Sequence, residues 1–157
     1  MNKFANEQWP MFEGTHKMRD AMLDTLSDSD LAFSPGGDNM TLGALCREMG
    51  DVERSYLESV KTLKQEWSYH NNEPGIEGSV KRLKAWMQAL DAELAKVVTG
   101  MSDEEMKRSV DRGGFSVPID VQLQIYLQAV LIFFGKATVF LKAMSKPLTK
   151  EIREWIW

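Results

Sequence analysis

A chain of 157 residues, 43% hydrophobic and 27% charged, is long and apolar enough to bury one full core, which excludes a disordered chain and removes the need for disulfides or a structural metal. A net charge of −4 argues against a nucleic-acid partner, which would need clustered Lys and Arg to displace phosphate counterions. The single cysteine, Cys46, rules out an internal disulfide and a CxxC redox pair, and it fits a reducing compartment.

The first eight residues carry no apolar run of signal-peptide length, so an unprocessed, cytoplasmic chain is expected. The first helical pattern spans about 9–27, with Met11, Met18, Met22 and Leu26 in one row and Phe12, His16 and Leu23 in another. Ser27 to Asp30 closes it, and Pro35-Gly36 suits a tight turn. Thr41 is placed to cap the second helix. Its apolar stripe runs Leu42, Leu45, Met49, Val52, Tyr56, Val60, Leu63 and Trp67 in steps of three and four. The third helix runs from Ser79 to Gly100 on Leu83, Met87, Leu90, Leu94 and Val97. Ser102 and Glu105 form a capping box for a short helix over 102–109. Pro118 stands at the start of the fourth long helix, which is apolar nearly all round over 125–134. Such a helix lies at the centre of a bundle or under a second chain. Gln124, Gln128, Lys136 and Lys142 interrupt it at helical spacing, so a buried bundle helix explains it better than a membrane span. Pro147 stops it, and Thr149 caps a last short helix ending Trp155-Ile156-Trp157, whose tryptophans are expected to dock on the bundle or on a partner. No strand alternation is visible. Four amphipathic helices, taken as antiparallel neighbours, make an all-α four-helix bundle over 1–157, and the connections near 67–79 and 99–117 are long enough for other connectivities.

Three places resemble the DinB/YfiT-like family. Ser29-Asp30-Leu31, a Pro/Gly loop and Met40-Thr41-Leu42-Gly43-Ala44-Leu45 are similar to its "eDL…p…TlgeL" entry to the second helix. Leu45 to Tyr56 is similar to "LlxHixxxExxy". The segment 122–136 resembles the last core helix, where the family has H-x-x-x-H-x-G-Q and this chain has Ala129, Phe133, Gly135 and Lys136. The resemblance implies the DinB-like four-helix bundle with short additional helices. It also implies a divalent metal on three histidines, whose positions fall here on Glu48, Ala129 and Phe133. Alanine and phenylalanine donate nothing to a metal, and one carboxylate is too few. No metal is therefore expected there, and no cofactor is expected in the chain.

Five residues are candidates for a pocket at that place: Glu48, His16, Tyr126, Ala129 and Phe133. Glu48 lies three residues after Leu45 and four before Val52, so it shares their face. It is either a pocket carboxylate that anchors a ligand or moves a proton, or an edge residue paired with Lys or Arg. His16 is either a partly buried, hydrogen-bonded histidine or the partner of Glu48 in proton transfer. Tyr126 lies three residues before Ala129 and seven before Phe133, so its hydroxyl either enters the pocket or finds a local partner in the core. Gln122 and Gln128 are read as rim residues, and Cys46, beside Leu42 and Met49, as a buried inert thiol.

Three classes of function follow. One is a catalytically silent protein that binds a small apolar or amphipathic molecule in the vacated pocket. Another is a dimeric interaction module, a homodimer through the fourth helix. The third is a transferase resembling the family's metal-dependent thiol S-transferases, against which the missing ligands count. No enzyme activity is the favoured expectation.

Overall fold

The helices begin where the sequence offers caps. In the computed structural model, which describes residues 2–156, Thr41 Oγ1 accepts the Ala44 amide at 3.1 Å and starts α3, Leu42–Thr62. Ser79 Oγ accepts the Arg82 amide at 3.4 Å and starts α4, Val80–Gly100. Pro10 sits in the first turn of α2, Trp9–Leu23, where its missing N–H costs nothing. A short α1, Lys3–Glu7, precedes it and was not anticipated. Asn2 makes it, accepting the Ala5 amide at 2.8 Å while its amide group donates to Val98 O at 2.7 Å and ties this end to α4.

The element after α4 differs from expectation. Ser102 and Glu105 form the expected capping box, at 2.7 and 3.1 Å, but the helix is one 3₁₀ turn, Glu105–Lys107. A two-stranded hairpin follows, β1 Ser109–Asp111 with β2 Ser116–Pro118, in the register Ser109↔Pro118, Val110↔Val117 and Asp111↔Ser116. Three-residue strands show no alternation that a sequence reading can detect. The Asp111 amide donates to Leu63 O at 2.9 Å and the Gln65 amide to Asp111 O at 2.8 Å. These bonds explain why α3 ends at Thr62 although its apolar pattern continues to Trp67. Leu63 turns left-handed, at φ 61°, to lead the chain onto the hairpin. Trp67 is left 56% exposed, its ring edge-on to Tyr56.

Helix α5, Ile119–Ala143, begins directly after Pro118, and α6, Lys150–Ile156, takes its cap from Thr149. Helices α2 and α3 each pack on both α4 and α5. Their directions follow from facing pairs. Ser59 meets Gln122 and Glu48 meets Lys136, so α3 and α5 run opposite ways. Asp24 meets Lys84 and His16 meets Asp91, so α2 and α4 also run opposite ways. Gly50 lies against the Trp86 ring and Lys61 pairs with Glu93, so α3 and α4 run the same way. The bundle is therefore up-down-down-up, which corrects the expectation of antiparallel neighbours throughout. The connection 63–79 is long because it carries the chain back along the whole bundle between two parallel helices.

The core is built largely from the predicted stripes: Met22, Leu42, Val60, Leu83, Met87 and Leu94 are all enclosed, joined by Leu57 from beside the stripe. Helix α5 buries Leu123, Tyr126, Phe134 and Leu141 inward while Val121, Leu131, Ile132 and Val139 stand in solvent. By length and composition α5 could cross a membrane, but half of its most apolar window is buried in the bundle. In α6 it is Ile152 that is buried; Trp155 is 52% exposed and does not dock on the bundle, and Trp157 lies outside the described residues.

Candidate functional site

Charged residues sit on the core face of three helices. Arg19 follows His16 by three positions on α2, Glu53 lies four after Met49 and three before Tyr56 on α3, and Asp91 lies four after Met87 and three before Leu94 on α4. At that spacing they point where the stripe points, and folding brings them together. Arg19 is 1% exposed and Glu53 is 0% exposed. Arg19 Nη1 donates to Glu53 Oε2 at 3.1 Å and to Asp91 Oδ1 at 3.2 Å. Its Nη2 donates to Asp91 Oδ2 at 2.5 Å and to Asp20 Oδ1 at 3.2 Å. His16 Nδ1 lies 3.0 Å from Asp91 Oδ1, and His16 Nε2 lies 3.3 Å from the Tyr126 hydroxyl. Tyr126 comes from α5, so every core helix contributes.

Burying charge is costly unless it is paired. Burial pushes the His16 imidazole down to about 4, against the pull of Asp91, so the ring is neutral at pH 7. Its Nδ1–H then donates to Asp91 and its Nε2 accepts from Tyr126. Burial also works against the Arg19 charge, but Glu53 and Asp91 outweigh it and hold the guanidinium protonated. Burial raises Glu53 well above the ordinary carboxylate range, with Arg19 opposing, and raises Tyr126 likewise, with the Glu53 charge adding to the effect. Among the described residues Glu53 Oε1 and Arg19 Nε are buried without hydrogen bonds. A groove of about 360 Å³ between α2 and α4 opens over His16 and Asp91, with Glu13, Lys17 and Asp20 at its edge.

Of the five residues expected in one pocket, the structure joins His16 and Tyr126. Glu48 lies elsewhere, on the α3–α5 edge, where its 42% exposed side chain pairs with Lys136 at 3.5 Å. It does not face His16, whose carboxylate partner is Asp91. Ala129 is half-buried on α5. Phe133 is buried, with its ring 5.5 Å from that of Phe134. The three positions that the resemblance assigns to a metal therefore offer one paired carboxylate, a methyl group and a ring, and they do not fit a metal ion. Gln122 is not a rim residue: it is fully buried, donates to Ser59 Oγ at 2.8 Å and accepts from Arg112. Gln128 is exposed, as expected of a rim. Burial holds the Cys46 thiol up at about 12, which keeps it inert. Arg19, Glu53 and Asp91 are not expected there from sequence, because charged residues ordinarily lie on the solvated face. The signal was there in their spacing from apolar neighbours.

The family model described as the DinB superfamily matches residues 11–131. Among solved structures the chain is similar to a DinB-like protein from Bacillus cereus ATCC 10987, at 17% identity and TM-score 0.77, covering 90% of this chain and 93% of that one. It is also similar to a DinB-like protein from Bacillus subtilis, at 12% identity and TM-score 0.72, covering 93% and 94%. No curated protein matches it by sequence.

Proposed function

Because the chain belongs to the DinB superfamily and carries no metal donors at two of that family's three histidine positions, we propose that it is a non-catalytic homodimer whose α5 face is an interaction surface. One observation carries this reading. Leu131, Ile132 and Val139 are 41, 61 and 58% exposed along one side of α5, so among the described residues nothing covers them fully. A Cβ built on Gly135, within that face, meets nothing within 4 Å, so a second helix can approach closely there. The buried side chain of Phe133 speaks against a ligand held in a vacated metal pocket. A thiol transferase of the metal-dependent kind finds no support at Ala129 and Phe133. The unpaired, buried Cys46 suits the reducing cytoplasm.

Sedimentation or light scattering tests the dimer, with an expected mass about twice the 17.9 kDa of the chain. Covering the 61% exposed Ile132 contributes about 1–2 kcal/mol per copy, and a two-fold interface counts it twice. Ile132→Glu should therefore weaken association by about 30-fold or more. A protein that stays monomeric at high concentration defeats this reading.

A further inference from the structure

The polar cluster in the core has the geometry of an ion site, at a place where the family pattern puts no ligand. One donor atom each from His16, Glu53 and Asp91 lie within 4.8 Å of one another. Acidic residues together are not a site by themselves, and here the hydrogen bonds decide. Arg19 grips Glu53 by Oε2 and Asp91 by Oδ2, with a longer contact to Asp91 Oδ1. Arg19 thus holds both oxygens of Asp91 but only one of Glu53. Glu53 Oε1 has no hydrogen bond among the described residues, although its side chain is 0% exposed. Asp91 Oδ1 faces His16 Nδ1 at 3.0 Å.

We propose that His16 Nδ1, Glu53 Oε1 and Asp91 Oδ1 bind a divalent first-row metal ion, with Arg19 and Tyr126 as the outer partners that orient these ligands. One nitrogen and two carboxylate oxygens suit zinc, manganese, iron or cobalt in the divalent state. Donors at about 2.1 Å from such an ion stand about 3.4 Å apart in a tetrahedron, so the 3.0 Å pair of His16 Nδ1 and Asp91 Oδ1 opens slightly and the set, within 4.8 Å, needs only small movements. Binding moves the single imidazole proton from Nδ1 to Nε2, where the Tyr126 hydroxyl oxygen 3.3 Å away accepts it as a hydrogen bond. No proton leaves the histidine. In the metal-bound state, where Glu53 coordinates as the carboxylate and any proton that burial keeps on it leaves to solvent, Glu53, Asp91 and Asp20 against the one guanidinium of Arg19 leave two negative charges, which a divalent ion cancels. The groove between α2 and α4 supplies the entry path, with the two carboxylates of Glu13 and Asp20 against the one cation of Lys17 at its edge. The ion would link α2, α3 and α4. This goes beyond the proposed interaction role and does not rest on it, because the α5 surface is separate from the cluster.

The test is a Co²⁺ and Zn²⁺ titration of chelator-stripped protein, followed by calorimetry and the cobalt absorption bands. One ion per chain is expected. Affinity should fall at least tenfold in Glu53→Gln and in His16→Gln, and stay unchanged in Glu48→Gln, which touches only the family position. The chain has two histidines, so ring-nitrogen NMR of the folded His70→Gln protein reports His16 alone. Its Nδ1 signal should move on adding Zn²⁺, and this readout does not depend on the fold of a cluster variant. The absence of saturable binding, a His16 ring that does not respond, or affinity unchanged in both cluster variants would each overturn the site. Monomeric protein that still binds one ion would defeat the dimer and leave the site standing.

Discussion

Replacing Arg19 by Met keeps most of the aliphatic stem and removes the charge that Glu53 and Asp91 share. The guanidinium makes three hydrogen bonds to those two residues, and Glu53 has no exposure through which water could take its place. Removing one partner from a buried ion pair costs about 3–5 kcal/mol, because the charge left behind stays buried. For a chain of this size each kcal/mol moves the melting temperature by about 2–4 °C, so Arg19→Met should melt about 6–20 °C lower at pH 7. The pH dependence gives the effect its signature. Without Arg19 the buried Glu53 is favoured still more in its neutral form, and its native pKa lies further above the unfolded value near ~4. A group raised in the folded state contributes stability below its unfolded pKa and loses it as pH rises through the folded value. The deficit of Arg19→Met against the parent should therefore shrink as pH falls from 7 toward 4.5. Adding Glu53→Gln should recover part of it at pH 7, since a neutral amide replaces the stranded charge. Calorimetric melts of chelated protein across that pH range are the assay. A loss below about 3 °C, or one that is the same at every pH, would refute the assignment of Arg19 as the buried counter-ion.

The His16 imidazole, lowered to about 4 from 6.5, keeps its proton more readily in the unfolded chain. Between those values falling pH should cost metal-free protein about 3 kcal/mol, and in urea titrations His16→Gln should lose that slope relative to the parent. Gly43→Ala should lower the melting temperature, because the new Cβ would sit 2.0 Å from the backbone oxygen of Glu77, which cannot swing aside. Gly14→Ala, where a Cβ meets nothing within 4 Å, should instead gain up to about 1 kcal/mol by helix propensity. Combining Glu48→His, Ala129→His and Phe133→His should create a second ion site, since two donors return four residues apart on α5 and the third stands across from them on α3; a folded triple variant that binds no more Zn²⁺ than its parent argues against this geometry.

Much of the fold is readable along the chain because its causes are local. The three- and four-residue steps of Leu42 to Val60 and of Leu83 to Leu94 specify helices whatever surrounds them, and Thr41, Ser79 and Thr149 cap their own first turns. The ends of elements are less local. Leu63 leaves the helix because Asp111, far along the chain, offers it hydrogen bonds that one more helical turn would forgo. Helix direction is also decided in three dimensions, since a long connection permits either sense and the Gly50–Trp86 and Lys61–Glu93 contacts occur together only when α3 and α4 are parallel. The site divides in the same way. His16 and Tyr126 could be singled out from sequence, and the loss of histidines at Ala129 and Phe133 is plain in the letters themselves. Arg19, Glu53 and Asp91 look like ordinary surface charges on three separate helices. Only packing puts them within reach of one another, and in water-excluded surroundings a carboxylate takes the nearest cation it can find, which is why the cluster belongs to the tertiary structure alone.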